Sequence, residues 1–142
     1  MRAPAEALAT YVPLRVVERL RAGGVCGPFV ERFPAALLFA DISGSTALAE
    51  RLAARGPSGA EEFSRLLNTY LGALIDVVTA HGGDVVKFAG DGLLALWPSP
   101  ENDLAAATRC AAECALAAQR AMAALGGSEA VQLSMSIGVG AG

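Results

Sequence analysis

The sequence has 142 residues, of which 54% are hydrophobic and 18% are charged, and its formal net charge is −3. This length suits one domain with a buried core, and the composition excludes an intrinsically disordered chain. The acidic balance argues against a nucleic acid as a partner, because the chain has no basic field that would attract phosphates.

No apolar stretch reaches the roughly 18–20 residues that are needed to span a bilayer, so no membrane is expected as a partner. The N-terminal stretch mixes charges into its apolar pattern and lacks the continuous apolar region of a signal peptide. We therefore expect a cytoplasmic protein. The three cysteines, Cys26, Cys110 and Cys114, have no histidine or further cysteine nearby to complete a metal site.

The first predicted element is a short amphipathic helix over residues 14–21, which follows Pro13. The stretch RAGGVCGP after it is typical of a loop. We expect residues 1–33 to form an N-terminal helical extension and linker, and residues 34–142 to form the main domain.

The main domain alternates strands and helices. Its first strand is continuously apolar and ends at Asp41, and the residues SGST after it open a helix. In the long helix that comes next and ends at His81, apolar residues recur at spacings of three and four and form one buried stripe. The predicted elements are strand 35–42, a helix to about Arg55, a long helix to His81, strands 84–89 and 92–97, helix 101–125, and a strand from about Val131 to Val139.

The order β-α-α-β-β-α-β predicts an α/β (α+β) fold with a ferredoxin-like split βαβ sheet and one extra helix. In this fold the third strand runs between the first two and is antiparallel to both. The end of the first strand and the start of the third strand are then neighbours. Asp41 and Asp91 should therefore lie side by side, although they are far apart in the sequence.

Two neighbouring carboxylates repel each other unless a cation joins them. Oxygen ligands suit Mg²⁺ or Mn²⁺, which typically take one or two carboxylates together with substrate phosphates. After Asp41, the start of the next helix offers free N–H groups around Gly44, Ser45 and Thr46, which favour a triphosphate. The sequence thus predicts metal ligands beside a phosphate site.

Each of these residues also has an ordinary explanation. Asp41 could help to cap the next helix, a role that Ser43 suits as well. Asp91 could be a turn residue between two glycines, and Lys87 could be a solvated charge on an edge strand. His81, at a helix end before two glycines, is interpreted as structural. The sequence has no G-x-x-x-x-G-K-[ST] motif, which excludes a P-loop protein.

The segments FADISGST and HGGDVVKFAGDGLLALWP closely resemble the catalytic domain of class III nucleotidyl cyclases, above all the bacterial and mammalian soluble adenylyl cyclase type. The resemblance runs from about Pro34 to Gly142. It implies a truncated class III nucleotidyl cyclase fold and a partial catalytic domain over residues 34–142. The implied reaction converts ATP, or GTP, to a cyclic nucleotide and pyrophosphate in signalling.

The resemblance also implies the roles of single residues. Two Mg²⁺ or Mn²⁺ ions would be held by both aspartates and one backbone carbonyl, and the turn after the first strand would bind phosphate. Many relatives have phenylalanine at position 45, where this chain has serine. The implied metal ligands are Asp41, Asp91 and the Ile42 carbonyl, and the implied phosphate-binding residues are Gly44, Ser45 and Thr46.

For Lys87 the resemblance implies two alternative roles. In homodimeric cyclases the matching lysine contacts adenine, whereas in a pseudo-heterodimer of unequal domains it lines a degenerate site for a regulatory anion such as bicarbonate. The family site forms between two domains, so a second cyclase domain is the expected partner. Further catalytic residues of the family would follow Gly142, and we expect the 142-residue chain alone to be inactive.

Two other functions compete with this interpretation. One is a non-catalytic module for nucleotide sensing or dimerisation in a larger signalling ATPase, although a scaffold has no use for paired carboxylates. The other is a diguanylate cyclase, which is weaker because Gly82-Gly83-Asp84 precedes the hairpin strand instead of forming its turn.

Overall fold

A computed structural model describes residues 12–23, 27–99, 103–125 and 133–142. The predicted starts of the last helix at residue 101 and of the last strand at Val131, and also Cys26, lie outside these ranges. The elements follow the predicted order: α1 (Leu14–Arg21), β1 (Ala35–Ser43), α2 (Ser45–Ala53), α3 (Pro57–Ala80), β2 (Asp84–Ala89), β3 (Gly92–Pro98), α4 (Leu104–Leu125) and β4 (Ser134–Ala141).

The described strands form one four-stranded sheet in the order β2-β3-β1-β4. β3 lies between β1 and β2 and is antiparallel to both, and β4 pairs antiparallel with the other side of β1. β1 and β2 are therefore parallel with one strand between them, which is the split βαβ arrangement. The prediction of a ferredoxin-like sheet with an extra helix is confirmed.

One face of the sheet carries the hydrophobic core. Alternate residues of β1 point to this face, as the period of two in a strand requires, and Leu38 and Ile42 are almost completely buried. α3 and α4 bury one stripe each in the same core, which removes apolar surface from water. These stripes are Tyr70, Leu74 and Val78 on α3, and Ala107, Ala111, Cys114, Ala118 and Met122 on α4.

The opposite face of the sheet is apolar but open in its middle. Leu37 and Phe39 of β1 are 41% and 45% exposed, and they pair with Leu96 and Leu94 of β3. Within the described ranges, none of the helices is both long and apolar enough to cross a membrane.

His81 makes two polar contacts at the end of α3, one with α3 itself and one with β3 of the hairpin. The Nδ1 atom of His81 lies 2.8 Å from the carbonyl oxygen of Val77. The indole N–H of Trp97 donates a hydrogen bond of 2.8 Å to the His81 carbonyl. Both contacts agree with the interpretation of His81 as a structural residue.

Candidate metal and phosphate site

Asp41 lies inside the sheet ladder. Its partner on β3 is Gly92 and its partner on β4 is Ser136. Its neighbours Ala40 and Ile42 are buried against the helices, so its side chain lies on the open face. β1 was predicted to end at Asp41 but continues for two more residues, because β4 still pairs with Ile42 and Ser43 after the pairing with β3 has ended at Asp41. This pairing holds the backbone of Asp41 in place.

Asp91 lies in the turn between β2 and β3. Gly90 before it has a φ of +64°, in the left-handed region that favours glycine. Gly92 after it is the β3 partner of Asp41. The structure therefore brings Asp41 and Asp91 to the same edge of the sheet, as the split βαβ topology requires.

Gly92 allows β3 to approach Asp41 closely. A Cβ atom at this position would lie 2.9 Å from the Ala40 carbonyl oxygen and 3.2 Å from Oδ1 of Asp41. The first distance is shorter than real Cβ contacts, so a larger residue would force β1 and β3 to shift. The sequence showed Gly92 only as a turn glycine, since the close approach depends on the strand pairing.

Ser45 connects the start of α2 to this turn. It is buried, and its hydroxyl donates a hydrogen bond to Oδ2 of Asp91, 46 residues away. The hydroxyl of Ser45 is therefore engaged by an aspartate, and its backbone N–H, in the first turn of α2, has no acceptor within the helix. Nothing in the local sequence pattern indicates the contact with Asp91, because it joins residues that are 46 positions apart.

The N-terminus of α2 lies beside the two aspartates. Gly44 adopts a left-handed φ of +90° and accepts the first hydrogen bond of the helix, from the N–H of Leu48. The N–H groups of the first three helical residues, which include exposed Thr46, therefore have no acceptor within the helix. The suggestion that Ser43 caps this helix is wrong, because Gly44 is the N-cap without a side-chain cap and the hydroxyl of Ser43 lies 3.1 Å from that of Ser136. These free N–H groups favour an anion.

Lys87 lies on β2, close to the edge of the sheet. The pairing with β3 shifts between Val85 and Lys87, so Val86 is an extra residue in a β-bulge. The bulge places Lys87 opposite Leu94, whose partner on β1 is Phe39. Lys87 is exposed and lines a groove of about 480 Å³. Among the described residues, no salt bridge joins it to either aspartate.

The chemistry of the donors fits a hard divalent cation. Asp41, Asp91 and the carbonyl of Ile42 supply only oxygen atoms. In the described part of the chain, no three His, Cys, Asp or Glu side chains are grouped to hold a metal ion by themselves. Mg²⁺ and Mn²⁺ typically use one or two carboxylates and complete their shell with water and substrate phosphates. The residues therefore fit an ion that binds together with a nucleotide.

Comparison with protein families and curated proteins identifies relatives of the chain. The model of the adenylate and guanylate cyclase catalytic domain matches residues 31–142. Adenylate cyclase type 10 of Mus musculus is 37% identical over 117 residues, which are 81% of this chain and 7% of the mouse protein. The chain therefore spans less than a tenth of the length of that relative.

Solved cyclase structures share the fold. The adenylyl cyclase CyaB from P. aeruginosa is similar with a TM-score of 0.68 and 26% identity, over 79% of this chain and 57% of that chain. The guanylyl cyclase Cya2 is similar with a TM-score of 0.63 and 32% identity, over 79% of this chain and 55% of that chain.

Proposed function

This chain belongs to the adenylate and guanylate cyclase catalytic domain family, and we propose that it provides the metal- and phosphate-binding half of an adenylyl cyclase site. The observation that carries the proposal is the pairing of Asp41 with Gly92, which brings it to Asp91 beside the free N-terminus of α2. Carboxylates next to helix N–H groups suit a complex of a metal ion with a triphosphate.

In the proposed reaction, the 3′-hydroxyl of ATP attacks the α-phosphorus in line. The bond between the α-phosphorus and the bridging oxygen breaks, so cyclic AMP forms, pyrophosphate leaves, and the proton of the 3′-hydroxyl is released to water or to the pyrophosphate. Two Mg²⁺ or Mn²⁺ ions, held by Asp41, Asp91 and the Ile42 carbonyl, would supply activation of the hydroxyl and neutralisation of the leaving group. The N–H groups at the start of α2 bind phosphate oxygens, and Ser45 orients Asp91.

The proposed role of Lys87 is to select the base. An ammonium group donates a hydrogen bond to N1 of adenine, whereas N1 of guanine carries a proton and cannot accept one. Lys87→Glu should therefore reduce the preference for ATP over GTP. If Lys87→Glu keeps the preference for ATP over GTP but loses a response to bicarbonate, Lys87 instead lines a regulatory anion site in a pseudo-heterodimer.

The proposed partner is a second cyclase domain, in a homodimer or a pseudo-heterodimer. Support comes from the open face of the sheet, where Leu37 and Phe39 are exposed near the edge that carries Asp41 and Asp91. Phe39→Asp should weaken self-association in sedimentation velocity runs, because a charge would have to be desolvated in the interface. Leu116→Asp is the matched control, since Leu116 lies exposed on α4, away from this face. Equal effects of both changes would argue against the open face.

Calorimetry with Mn²⁺·ATP tests the site itself. Asp41→Asn and Asp91→Asn should each weaken binding by about tenfold or more, because a neutral amide is a poor ligand for a hard cation. Asp103→Asn is the control: Asp103 accepts a hydrogen bond from the N–H of Ala106 at the start of α4. Unchanged affinity in both site variants would refute the proposal.

Binding without cyclic AMP formation by the whole protein would favour a nucleotide-sensing module.

A further inference from the structure

Asp84, the first residue of β2, holds the start of α1, about seventy residues earlier in the chain. Its two carboxylate oxygens accept hydrogen bonds from the N–H groups of Leu14 and Arg15, at 2.8 and 3.1 Å. The side chain of Pro13, which precedes α1, makes no capping hydrogen bond, and the first turn of α1 contains no acidic residue. Asp84 therefore supplies the negative charge that is favourable at a helix N-terminus.

Polar contacts, and not burial, hold α1 in place. None of the eight described residues of α1 is buried, and Leu14 and Leu20 are more than half exposed. Arg15 and Arg19 form ion pairs of 3.0 and 3.6 Å with Glu31. These pairs join α1 to the linker before β1 and are partly exposed, so they stabilise it only weakly. Among the described residues, Asp84 supplies the hydrogen bonds that attach α1 to β2.

The linker before β1, which contains Phe29, Glu31 and Phe33, also contacts α1 through aromatic rings. The guanidinium of Arg15 lies 3.9 Å from the centre of the Phe33 ring, and that of Arg19 lies 4.7 Å from the centre of the Phe29 ring. Both cation–π contacts hold α1 against the linker. α1 and the linker thus form one unit, which Asp84 connects to the sheet.

β2 is the strand of the sheet to which Asp84 connects this unit. It lies at the edge of the described sheet, and Lys87 follows Asp84 by three residues. The bulge at Val86 interrupts the pairing with β3 between them. A bulged edge strand is weakly constrained by its neighbours. The segment that starts α1 borders the same groove as Lys87, which is lined by Val12, Pro13, Ile75 and Val85 to Phe88.

We propose that Asp84 is a positioning residue that couples the N-terminal helix to Lys87. By fixing the start of α1 to the first residue of β2, Asp84 holds the bulged strand and with it the ammonium group of Lys87. The functional part of this inference rests on the proposed contact between Lys87 and the base. Loss of the hydrogen bonds at Asp84 would then change base selection without touching the metal ligands.

Hydrogen exchange on the 142-residue chain tests the structural step without any nucleotide. The loss of a helix cap typically speeds local opening by roughly 2- to 30-fold. We expect this acceleration in Asp84→Ala over residues 14–21 and also over residues 85–89. Asp84→Asn, which keeps one of the two acceptor oxygens and the shape of the side chain, should show a smaller effect in both segments.

Asp103→Ala is the matched control for the exchange experiment, because Asp103 caps α4 through the N–H of Ala106. It should accelerate exchange at the start of α4 and leave residues 85–89 unchanged. If both Asp84 variants loosen α1 but leave exchange over residues 85–89 at the wild-type rate, the proposed coupling is wrong.

Calorimetry with Mn²⁺·ATP and Mn²⁺·GTP tests the functional step. Asp84→Ala should lower the ratio of ATP to GTP affinity by about fivefold, a typical size for coupling between sites. The double variant Asp84→Ala/Lys87→Ala should match Lys87→Ala alone, because coupled residues are not additive. A purely structural loss would lower both affinities equally and leave the ratio unchanged.

The outcomes separate the two proposals. If Lys87→Ala changes the ratio and Asp84→Ala does not, Asp84 does not position Lys87. If neither variant changes the ratio, or the chain binds no nucleotide, the assignment of Lys87 as a base reader fails. The exchange rates over residues 85–89 then still decide whether Asp84 couples α1 to β2.

Discussion

The hydroxyl of Ser45 donates a hydrogen bond to the carboxylate of Asp91 and so joins the first residue of α2 to the turn between β2 and β3. Ser45 is only 5% exposed, which shields the bond from water. Groups around metal ligands commonly fix the orientation of those ligands. The contact therefore prepares one orientation of Asp91 for the proposed metal site. A phenylalanine at this position could not make it.

Ser45→Ala should weaken the binding of Mn²⁺·ATP by about tenfold, because Asp91 would no longer be held in one orientation. The affinity is measured by calorimetry on the 142-residue chain. Ser43→Ala is the control, since the hydroxyl of Ser43 contacts Ser136 and not an aspartate. Equal affinities for the wild type and Ser45→Ala would show that Asp91 does not depend on this bond.

Gly92→Ala should destabilise the fold by about 1–3 kcal/mol, the usual cost of forcing an extra methyl group into a packed region. The new Cβ atom would lie 2.9 Å from the Ala40 carbonyl oxygen. Urea unfolding measures the free energy of unfolding. Gly138→Ala on β4 is the control, because a Cβ atom there meets nothing within 4 Å. A Gly92→Ala chain as stable as Gly138→Ala would contradict the close approach of β3 to β1.

Gly83→Ala should disturb the environment of Trp97, the single tryptophan of the sequence. The added Cβ atom would lie 2.5 Å from the Trp97 ring and 2.8 Å from Val78, both in the core. We expect a red-shifted fluorescence maximum and a lower urea midpoint. Gly72→Ala, where a Cβ atom meets nothing within 4 Å, should leave the spectrum unchanged and stabilise α3 by about 0.5–1 kcal/mol. Identical spectra for all three chains would disprove the contact.

Burial raises the pKa of the Cys114 thiol from 9.0 to about 11. The unfolded chain therefore ionises this thiol at a lower pH than the folded chain does. The stability that the neutral thiol contributes is fully present below pH 9 and is lost as the pH rises towards 11. At about 1.4 kcal/mol for each pKa unit, the loss is roughly 2–3 kcal/mol.

Urea unfolding of the wild type and Cys114→Ala at several pH values checks this expectation. The stability advantage of the wild type over Cys114→Ala should shrink between pH 9 and pH 11. Cys110→Ala is the matched control, because Cys110 lies exposed one turn earlier on α4. A constant difference between the wild type and Cys114→Ala across this pH range would show that the folded chain does not retain the thiol proton.

The sequence by itself determined the order of the elements, because hydrophobic periodicity and glycine turns are local signals. α1 and β2 have the predicted bounds, and the paired strands bring Asp41 and Asp91 to one edge. This placement could be inferred from the sequence since the split βαβ order allows one arrangement of the first three strands.

Only the tertiary structure decided the contacts between side chains and backbone that are distant in the sequence. The bond from Ser45 to Asp91 and the capping of α1 by Asp84 join elements that are about 46 and 70 residues apart. The close approach of Gly92 to β1 depends on the register of two strands. Local propensity says nothing about such contacts, because they form only when packing and pairing have brought the elements together.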